Sequence, residues 1–456
     1  MNRLTIVAAA IALLCSGAQA YAAEAATAAA PAAQTAQQKL DQASGKATAK
    51  VIYRGVTLVG SGAPQADMAI VVAGDRIAAI VPAGQLDAAT LAGAEIYDAH
   101  GLYALPGLID THVHYATKPD RPYAEAELQR DIYAGITSVR DMAGDARALG
   151  ELSRAALLNE IAAPDIFYAA LVAGPSFFSD PRTKVAALGL QAGQVPWLQA
   201  IDDKTDLPLA IAQARGTGAT GLKIYANLSG PLVRKLIAEA KRQHFPVWTH
   251  QQVYPATPYD SLGATTVSHV CMVARYVRES NKQQYGHGGE PSYAGLTAAD
   301  PGIRKYIAAL AKSGTIMDVT LSVYGHDGPH CHIELAGEIA HAMYEAGIPL
   351  TAGTDSDDAT TDPFPQLNTE LEALVKYAGL TPAQVIAAAT GNAARALGKQ
   401  ADFGTLDAGK YANIMFVKED PLKDIANLRS VVLTVKRGNR YARADFHPQA
   451  IPDHDE

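Results

Sequence analysis

The sequence has few cysteines, no cluster of basic residues and no long apolar segment after its first residues. Lysine and arginine together number 38 against 46 aspartates and glutamates, a formal net charge of -8, so no basic surface suited to nucleic acid is expected. The apolar run at residues 4–14 is too short to span a bilayer as a stable anchor. We therefore expect neither a nucleic-acid partner nor a stable membrane anchor.

Residues 1–23 have the pattern of a secretory signal peptide, because Arg3 precedes the apolar run and small residues follow it. Cleavage after Ala20 and cleavage after Ala23 fit the pattern equally well. Residues 24–48 are rich in Ala, Gln and Thr, which predicts a disordered or loosely helical spacer. The expected protein is exported, either periplasmic or secreted.

Cleavage of this segment leaves two of the three cysteines, Cys271 and Cys331. Two cysteines in an exported protein could form a disulfide. Two unpaired thiols are at least as consistent with the sequence, because spacing along the chain says nothing about distance in space. The pairing stays open at this point.

Two kinds of pattern divide the rest of the chain. Short alternating apolar segments, typical of an antiparallel sheet, occupy residues 49–104 and return over residues 398–446. Between them, residues 105–397 alternate strand-like and helix-like segments. We predict an α/β fold, in which a (β/α)8 TIM barrel is inserted in a small β-sandwich domain formed by both chain ends. The predicted barrel strands are 108–114, 136–141, 165–173, 220–226, 245–250, 264–270, 315–321 and 349–355.

Six side chains suited to metal binding each lie at or near the end of a strand-like run, where barrels of this class carry their chemistry. Residues two apart on a strand point to the same face, so a His-x-His pair can reach one ion. Each residue alone could be a core histidine, an ion-paired lysine or an aspartate capping a turn. Together they predict a site for a bridged pair of metal ions, formed by His112, His114, Lys223, His250, His269 and Asp355.

In these residues the chain resembles the amidohydrolase superfamily of metal-dependent hydrolases, over nearly all of residues 51–443. The motifs are Leu-Pro-Gly-Leu-Ile-Asp-Thr-His-Val-His at 105–114, the other predicted ligands, and a segment at 404–417. In that segment Asn413 replaces the usual aspartate, at a position remote from the site. Residues 135–141 together with Lys223-Ile-Tyr225 resemble a narrower branch of imidazolonepropionase-like proteins and Xaa-Pro dipeptidases.

The resemblance implies two divalent metal ions, with zinc best suited to the mixture of imidazole and carboxylate ligands. It implies that Lys223 is carboxylated by CO2 and that the resulting carbamate bridges both ions. His112, His114 and Asp355 would complete the more buried ion, and two further histidines, His250 and His269, the more exposed one. A metal-bridging hydroxide would be the nucleophile, and Asp355 the general base and then the general acid.

Further residues are expected to meet the substrate. Tyr225 lies two residues after Lys223 on the same strand face, and in the branch that the chain resembles such a tyrosine helps to polarise the substrate carbonyl. Arg275, after the sixth strand, could bind a substrate carboxylate. The loop after the seventh strand contains His326, His330 and His332, which can reach the substrate but are alternatively ordinary surface residues.

Arg140 and Asp141 end the second predicted strand. Two interpretations stay open for them: a structural ion pair, or support for the metal ligands.

The predicted function is hydrolysis of an amide or peptide bond in a small substrate, either a dipeptide or an N-acyl amino acid. The same two-metal site could instead act on a lactone, a cyclic amide or a phosphotriester. A catalytically dead binding protein is the remaining alternative, although none of the six ligands is missing. The sequence leaves open the exact substrate, the native metal and whether the chain forms a homo-oligomer.

Overall fold

The computed structural model describes residues 50–60, 62–278, 291–326, 331–355 and 359–451. The predicted signal peptide, the predicted spacer and His330 lie outside the described residues. Within the described ranges, no helix combines the length and the apolar character needed to cross a membrane.

Eight parallel strands form a nearly closed barrel, which confirms the predicted fold class. Two backbone hydrogen bonds join its first strand to the segment after its eighth: Thr111 N donates to Ala352 O at 3.1 Å, and Asp355 N donates to His112 O at 2.8 Å. A short strand, Leu198–Ala200, adds to the third barrel strand and pairs with Gln194–Val195. Barrel strands one to eight are Leu108–Val113, Ile136–Asp141, Asp165–Ala173, Gly221–Ile224, Val247–His250, Thr266–Ser268, Ile316–Asp318 and Leu350–Thr351.

The helices that alternate with the barrel strands bury one face each and begin at residues suited to capping. Asp120, Asp145 and Asp206 each accept a backbone N–H in the first turn of the helix that follows. The described α-helices are Ala88–Leu91, Arg121–Tyr133, Ala146–Leu157, Pro181–Ala186, Leu207–Gly216, Gly230–Arg242, Met272–Arg278, Pro301–Ser313, Ile333–Glu345, Gln366–Lys376, Pro382–Ala388 and Gly391–Ala396. The described 3-10 helices are Ala83–Gln85, Pro175–Ser179, Pro258–Ser261, Leu321–Val323, Ile425–Ser430 and Arg443–Asp445.

Strands from both ends of the chain form a second sheet. Ile414–Val417 pairs antiparallel with Tyr103–Pro106, which leads directly into barrel strand one. This sheet has its own apolar core, which includes Tyr53, Ile70 and Phe416. Its strands are Lys50–Leu58, Gln65–Ala73, Arg76–Pro82, Ala94–Asp98, Tyr103–Pro106, Ile414–Val417, Val431–Lys436 and Asn439–Ala442.

The second sheet is not wholly antiparallel. Lys50–Leu58 pairs in parallel with Ala94–Asp98 and with Tyr103–Pro106. Parallel pairing requires a crossover connection, and the segment containing helix Ala88–Leu91 provides one between Arg76–Pro82 and Ala94–Asp98. The antiparallel pairing predicted from the sequence therefore accounts for only part of this sheet.

Candidate metal centre

The six predicted ligands lie at the carboxyl ends of the barrel strands. They come from five strands: the first strand supplies two ligands, and the fourth, fifth, sixth and eighth supply one each. In that order, the ligands are His112, His114, Lys223, His250, His269 and Asp355. The parallel arrangement brings all these strand ends to one face of the barrel.

Three neighbouring strand ends turn sharply around this face. His269, Thr320 and Asp355 follow barrel strands six, seven and eight with φ values of 76°, 54° and 49°. Residues other than glycine rarely adopt this left-handed conformation. Such strain persists only where the surrounding structure holds it, and it is concentrated at functional sites.

The Asp355 carboxylate lies among three of the imidazoles. Its Oδ1 is 3.2 Å from His112 Nε2 and 3.1 Å from His114 Nε2, and its Oδ2 is 3.6 Å from His269 Nε2. The His250 ring packs on the His269 ring, with 4.6 Å between their centroids. His112, His114 and Asp355 offer ligand atoms that all lie within 4.8 Å of one another, a spacing that one metal ion can bridge.

Lys223 is buried beside the same group. Its Nζ lies 5.5 Å from the centroid of the Tyr225 ring, which in turn lies 4.7 Å from that of His250. None of the residues that the structure describes forms a hydrogen bond or ion pair with the Lys223 side chain. An unpaired charge is costly to bury, and burial lowers the pKa of Lys223 to about 8.

Each of the four histidines uses Nδ1 for a hydrogen bond. The Nδ1 of His112 lies 2.9 Å from Asp318 Oδ2, and that of His269 lies 3.0 Å from Thr320 Oγ1. The other two rings bond to backbone carbonyls: His114 to Ala143 O at 3.2 Å and His250 to Gln251 O at 2.7 Å. Holding a ring through Nδ1 sets the tautomer that metal binding through Nε2 needs. In the described part of the chain, His112 Nε2 is buried without a hydrogen-bond partner. The donor set is therefore suited to divalent metal ions.

Burial and the short contacts within the group determine the charges. Burial lowers the pKa of His250 to about 3 and that of His269 well below its ordinary value. Burial alone would raise the pKa of Asp355, but the neighbouring His112 and His114 imidazoles hold it well below its ordinary value. A neutral imidazole and an ionised carboxylate are the forms that bind metal.

Sequence reasoning missed Asp318, a fully buried carboxylate at the end of barrel strand seven. Besides its contact with His112, it accepts hydrogen bonds from Arg140 Nη2 (3.0 Å), Ser268 Oγ (2.8 Å) and Thr111 Oγ1 (2.8 Å). Arg140 is therefore ion-paired and also supports a predicted ligand through that carboxylate. The sequence feature that indicates Asp318 is the strand-like run Ile316-Met-Asp318. It ends in a side chain that can bind metal or support a ligand, as the strand-like runs of the predicted ligands do.

The predicted substrate residues fall into two groups. Tyr225 lies within the site, between the rings of Phe177 and His250 at centroid distances of 4.7 Å to each. Arg275 is half-buried on the helix that follows His269.

The two described histidines of the strand-seven loop contact an acidic residue. The Nδ1 atoms of His326 and His332 lie 2.9 and 3.1 Å from Glu334. His332 also caps the helix Ile333–Glu345 by accepting the N–H of Leu335. His330 lies outside the described residues.

Cys271 and Cys331 form a disulfide with 6.3 Å between their Cα atoms. The bridge joins the turn after His269 to the loop that follows barrel strand seven. This pairing settles a question that the sequence left open.

Comparison with known proteins places these features in context. Residues 335–441 match the amidohydrolase family. The imidazolonepropionase of Caulobacter vibrioides (strain NA1000 / CB15N) is 26% identical over 373 residues, which cover 75% of this chain and 85% of that protein. The ochratoxinase of Aspergillus niger is 26% identical over 434 residues, which cover 83% of each chain. A crystal structure of a Xaa-Pro dipeptidase with bound methionine in its active site has a TM-score of 0.65 at 19% identity, covering 86% of this chain and all of that one, and so shares the fold.

Proposed function

We propose that this chain, which belongs to the amidohydrolase superfamily, cleaves an amide or peptide bond in a small substrate. The chain is a hydrolase that acts on C–N bonds. The narrower proposal is a substrate of the dipeptide or N-acyl amino acid class. The structural likeness to a protein named as a Xaa-Pro dipeptidase supports this class.

One observation carries the proposal. The Nε2 atoms of His112, His114 and His269 lie 3.1–3.6 Å from the Asp355 carboxylate, and the His250 ring packs on that of His269. The Nδ1 atoms of all four rings are held by hydrogen bonds, and beside them Lys223 is buried without a hydrogen bond or ion pair to any residue that the structure describes. Members of this family generally use divalent metals, and this arrangement is suited to two ions. Zinc suits the ligand mixture best.

Two bound ions would supply a water of lowered pKa as nucleophile and a Lewis acid for the scissile carbonyl. Lys223, once carboxylated by CO2, would present two oxygens and so become a bridging ligand. Its lowered pKa supports this step, because only the neutral amine reacts with CO2. His112, His114 and Asp355 would hold one ion, and His250 and His269 the other.

Asp355 is also placed to move a proton. Its side chain is about one quarter exposed, 24%, although it touches three imidazoles, so substrate can reach it. We assign a carboxylate oxygen of Asp355 as the acceptor of the nucleophile's proton and as its donor to the leaving amine. Tyr225 is assigned the polarisation of the substrate carbonyl through its hydroxyl.

The test is metal analysis followed by an activity panel on the protein loaded with zinc and bicarbonate. We expect about two ions per chain and activity on dipeptides or N-acyl amino acids. Failure on all of these together with activity on a lactone, a cyclic amide or an aryl phosphotriester would replace the substrate class. Absence of metal after supplementation would leave a binding protein as the alternative.

The bridging ligand needs its own variant. Lys223→Ala should lose metal, and added bicarbonate should not restore it, because no amine is left to carboxylate. Lys184→Ala, a lysine at an exposed position of the helix Pro181–Ala186, is the control that should keep full metal content. Full metal content in Lys223→Ala would contradict the bridging role.

We also propose that the chain is exported. The signal-peptide pattern and the disulfide both support an oxidising compartment. Fractionation of the native cell, with mass spectrometry of the mature N-terminus, tests the location; an intact N-terminus on cytoplasmic protein would contradict it.

A further inference from the structure

A buried glutamate behind the metal centre makes contacts that the proposed chemistry does not use. Glu370 lies in the helix Gln366–Lys376, and its side chain is fully buried. Its carboxylate oxygens accept the backbone N–H groups of Leu321 at 2.9 Å and Ser322 at 2.7 Å. These N–H groups begin the turn Leu321–Val323 and have no acceptor within it, so Glu370 caps the turn from another element.

The turn that Glu370 caps reaches two of the strand ends that carry metal ligands. Thr320 precedes the turn, and its Oγ1 lies 3.0 Å from His269 Nδ1. Ser322 Oγ donates to the carbonyl of Thr354 at 2.9 Å, one residue before Asp355. A shift of this turn would therefore change the positions of His269 and Asp355 together.

We propose that Glu370 is a positioning residue of the metal centre. Thr320 is β-branched and has a φ of 54°, a conformation that is unfavourable unless neighbouring contacts hold it. Glu370 keeps Thr320 in this conformation, and the Thr320 hydroxyl then orients the His269 ring. The inference rests on the metal-binding role proposed above. It predicts a loss of metal affinity that is separate from any loss of folding stability.

The test compares Glu370→Gln with a matched variant on the same helix. Glutamine preserves the size of the side chain but places an N–H donor against one of the two backbone N–H groups. Glu372 is partly exposed and pairs with Arg429 at 2.8 Å, so Glu372→Gln removes an acid without touching the turn. We expect zinc affinity, measured by competition with a chromophoric chelator, to fall about ten- to a hundredfold in Glu370→Gln and to be unchanged in Glu372→Gln.

Two variants of Thr320 separate positioning from general destabilisation. Thr320→Val removes the hydroxyl while keeping the branched shape, and Thr320→Ser keeps the hydroxyl. We expect zinc affinity to fall in the valine variant and to stay at the wild-type level in the serine variant. The absorption spectrum of the cobalt-substituted protein should change in the same direction in Thr320→Val and Glu370→Gln. Because both act through His269, the double variant should lose less affinity than the two single losses combined.

Each outcome decides between the proposals. Wild-type zinc affinity and an unchanged cobalt spectrum in Glu370→Gln, with only a lower unfolding temperature, would overturn the positioning role and leave the proposed function standing. Failure of the wild-type protein to bind zinc would overturn both. If Glu370→Gln does not fold, the Thr320 pair decides: equal affinities overturn the role, and a loss confined to valine supports it.

Discussion

At the scale of single residues, the candidate metal centre contains a buried carboxylate that is not among its six predicted ligands. Asp318 accepts hydrogen bonds from Arg140, Ser268 and Thr111 and lies 2.9 Å from the ring nitrogen of His112 that faces away from the site. A carboxylate bonded to a ligating histidine fixes the ring and raises its basicity. Residues of three neighbouring strands thus help to position one predicted ligand, His112, through the side chain of Asp318.

Asp318→Asn should weaken metal binding and folding together. Zinc affinity should fall about ten- to a hundredfold because the His112 ring loses its charged partner. Asparagine carries no charge, so the buried Arg140 guanidinium would lose its ion-pair partner. This loss should lower the free energy of unfolding by roughly 3–5 kcal/mol. Chelator competition and urea unfolding measure the two effects.

The control for Asp318→Asn is a buried, ion-paired aspartate at the other end of the barrel. Asp165 begins barrel strand three and pairs with Arg437 at 2.8 Å and with Lys436 at 3.6 Å. Asp165→Asn should lower stability but keep zinc affinity. An equal loss of affinity in both variants would show that any weakening of the barrel releases the metal, and would remove the special role of Asp318.

The sequence points to the six predicted ligands more directly than to the residues that support them. Histidines, a lysine and an aspartate at strand ends are visible as residue types in a pattern. Asp318 also ends a strand-like run, but its partners come from three other strands, so their proximity arises only when the barrel closes. Glu370 has no such pattern, since a single glutamate in an amphipathic helix normally faces solvent.

At the scale of elements, the predicted barrel strands agree with the structure within a few residues, because buried parallel strands are near-continuous apolar runs. Strand seven is the instructive difference. The prediction continues it to residue 321, whereas the strand ends at Asp318 and a 3-10 turn follows at Leu321–Val323. The apolar run continues through that turn, and the backbone N–H groups there donate to Glu370 instead of to a neighbouring strand.

The disulfide links two of these elements and gives a second prediction. Cys271 follows barrel strand six and Cys331 precedes the helix Ile333–Glu345, 60 residues further along the chain. In protein without residues 1–23, thiol titration under denaturing conditions should find no free thiol before reduction and two after it. The double variant Cys271→Ser, Cys331→Ser should unfold with about 2–4 kcal/mol less free energy, because the unfolded chain loses a constraint.

The matched control for the disulfide is reduction itself. Reduced wild-type protein and the double serine variant should unfold at the same urea concentration, and reduction should leave the midpoint of the variant unchanged. Two reactive thiols in the unreduced wild-type protein would contradict the bridge.

At the scale of the whole molecule, the second sheet is packed against the barrel. Met415 and Val417, from the C-terminal part of the second sheet, belong to the same apolar core as Leu105 and Ile136 at the beginning of the barrel. Lys436 is buried and donates to the carbonyl of Ala156 at 2.7 Å, after the second barrel strand. The stability of the second sheet is therefore coupled to that of the barrel, while the candidate metal centre lies at the opposite ends of the strands.

Gly135 is the point at which this coupling can be tested. It precedes barrel strand two with a φ of 98°, and a Cβ there would lie 2.5 Å from Met415 Sδ. Gly135→Ala would therefore add both backbone strain and a clash between the barrel and the second sheet. Gly93 also has a positive φ, 67°, but a Cβ there would meet nothing within 4 Å, so Gly93→Ala carries the strain alone.

We expect Gly135→Ala to unfold with about 1–3 kcal/mol less free energy than Gly93→Ala, because only the first variant separates the two packed units. Zinc affinity of the folded protein should be the same in both, since the ligands lie at the other end of the barrel. Urea unfolding and chelator competition measure the two quantities. Equal unfolding free energies would mean that Met415 moves aside without cost, and that the two units are coupled less tightly than their shared core indicates.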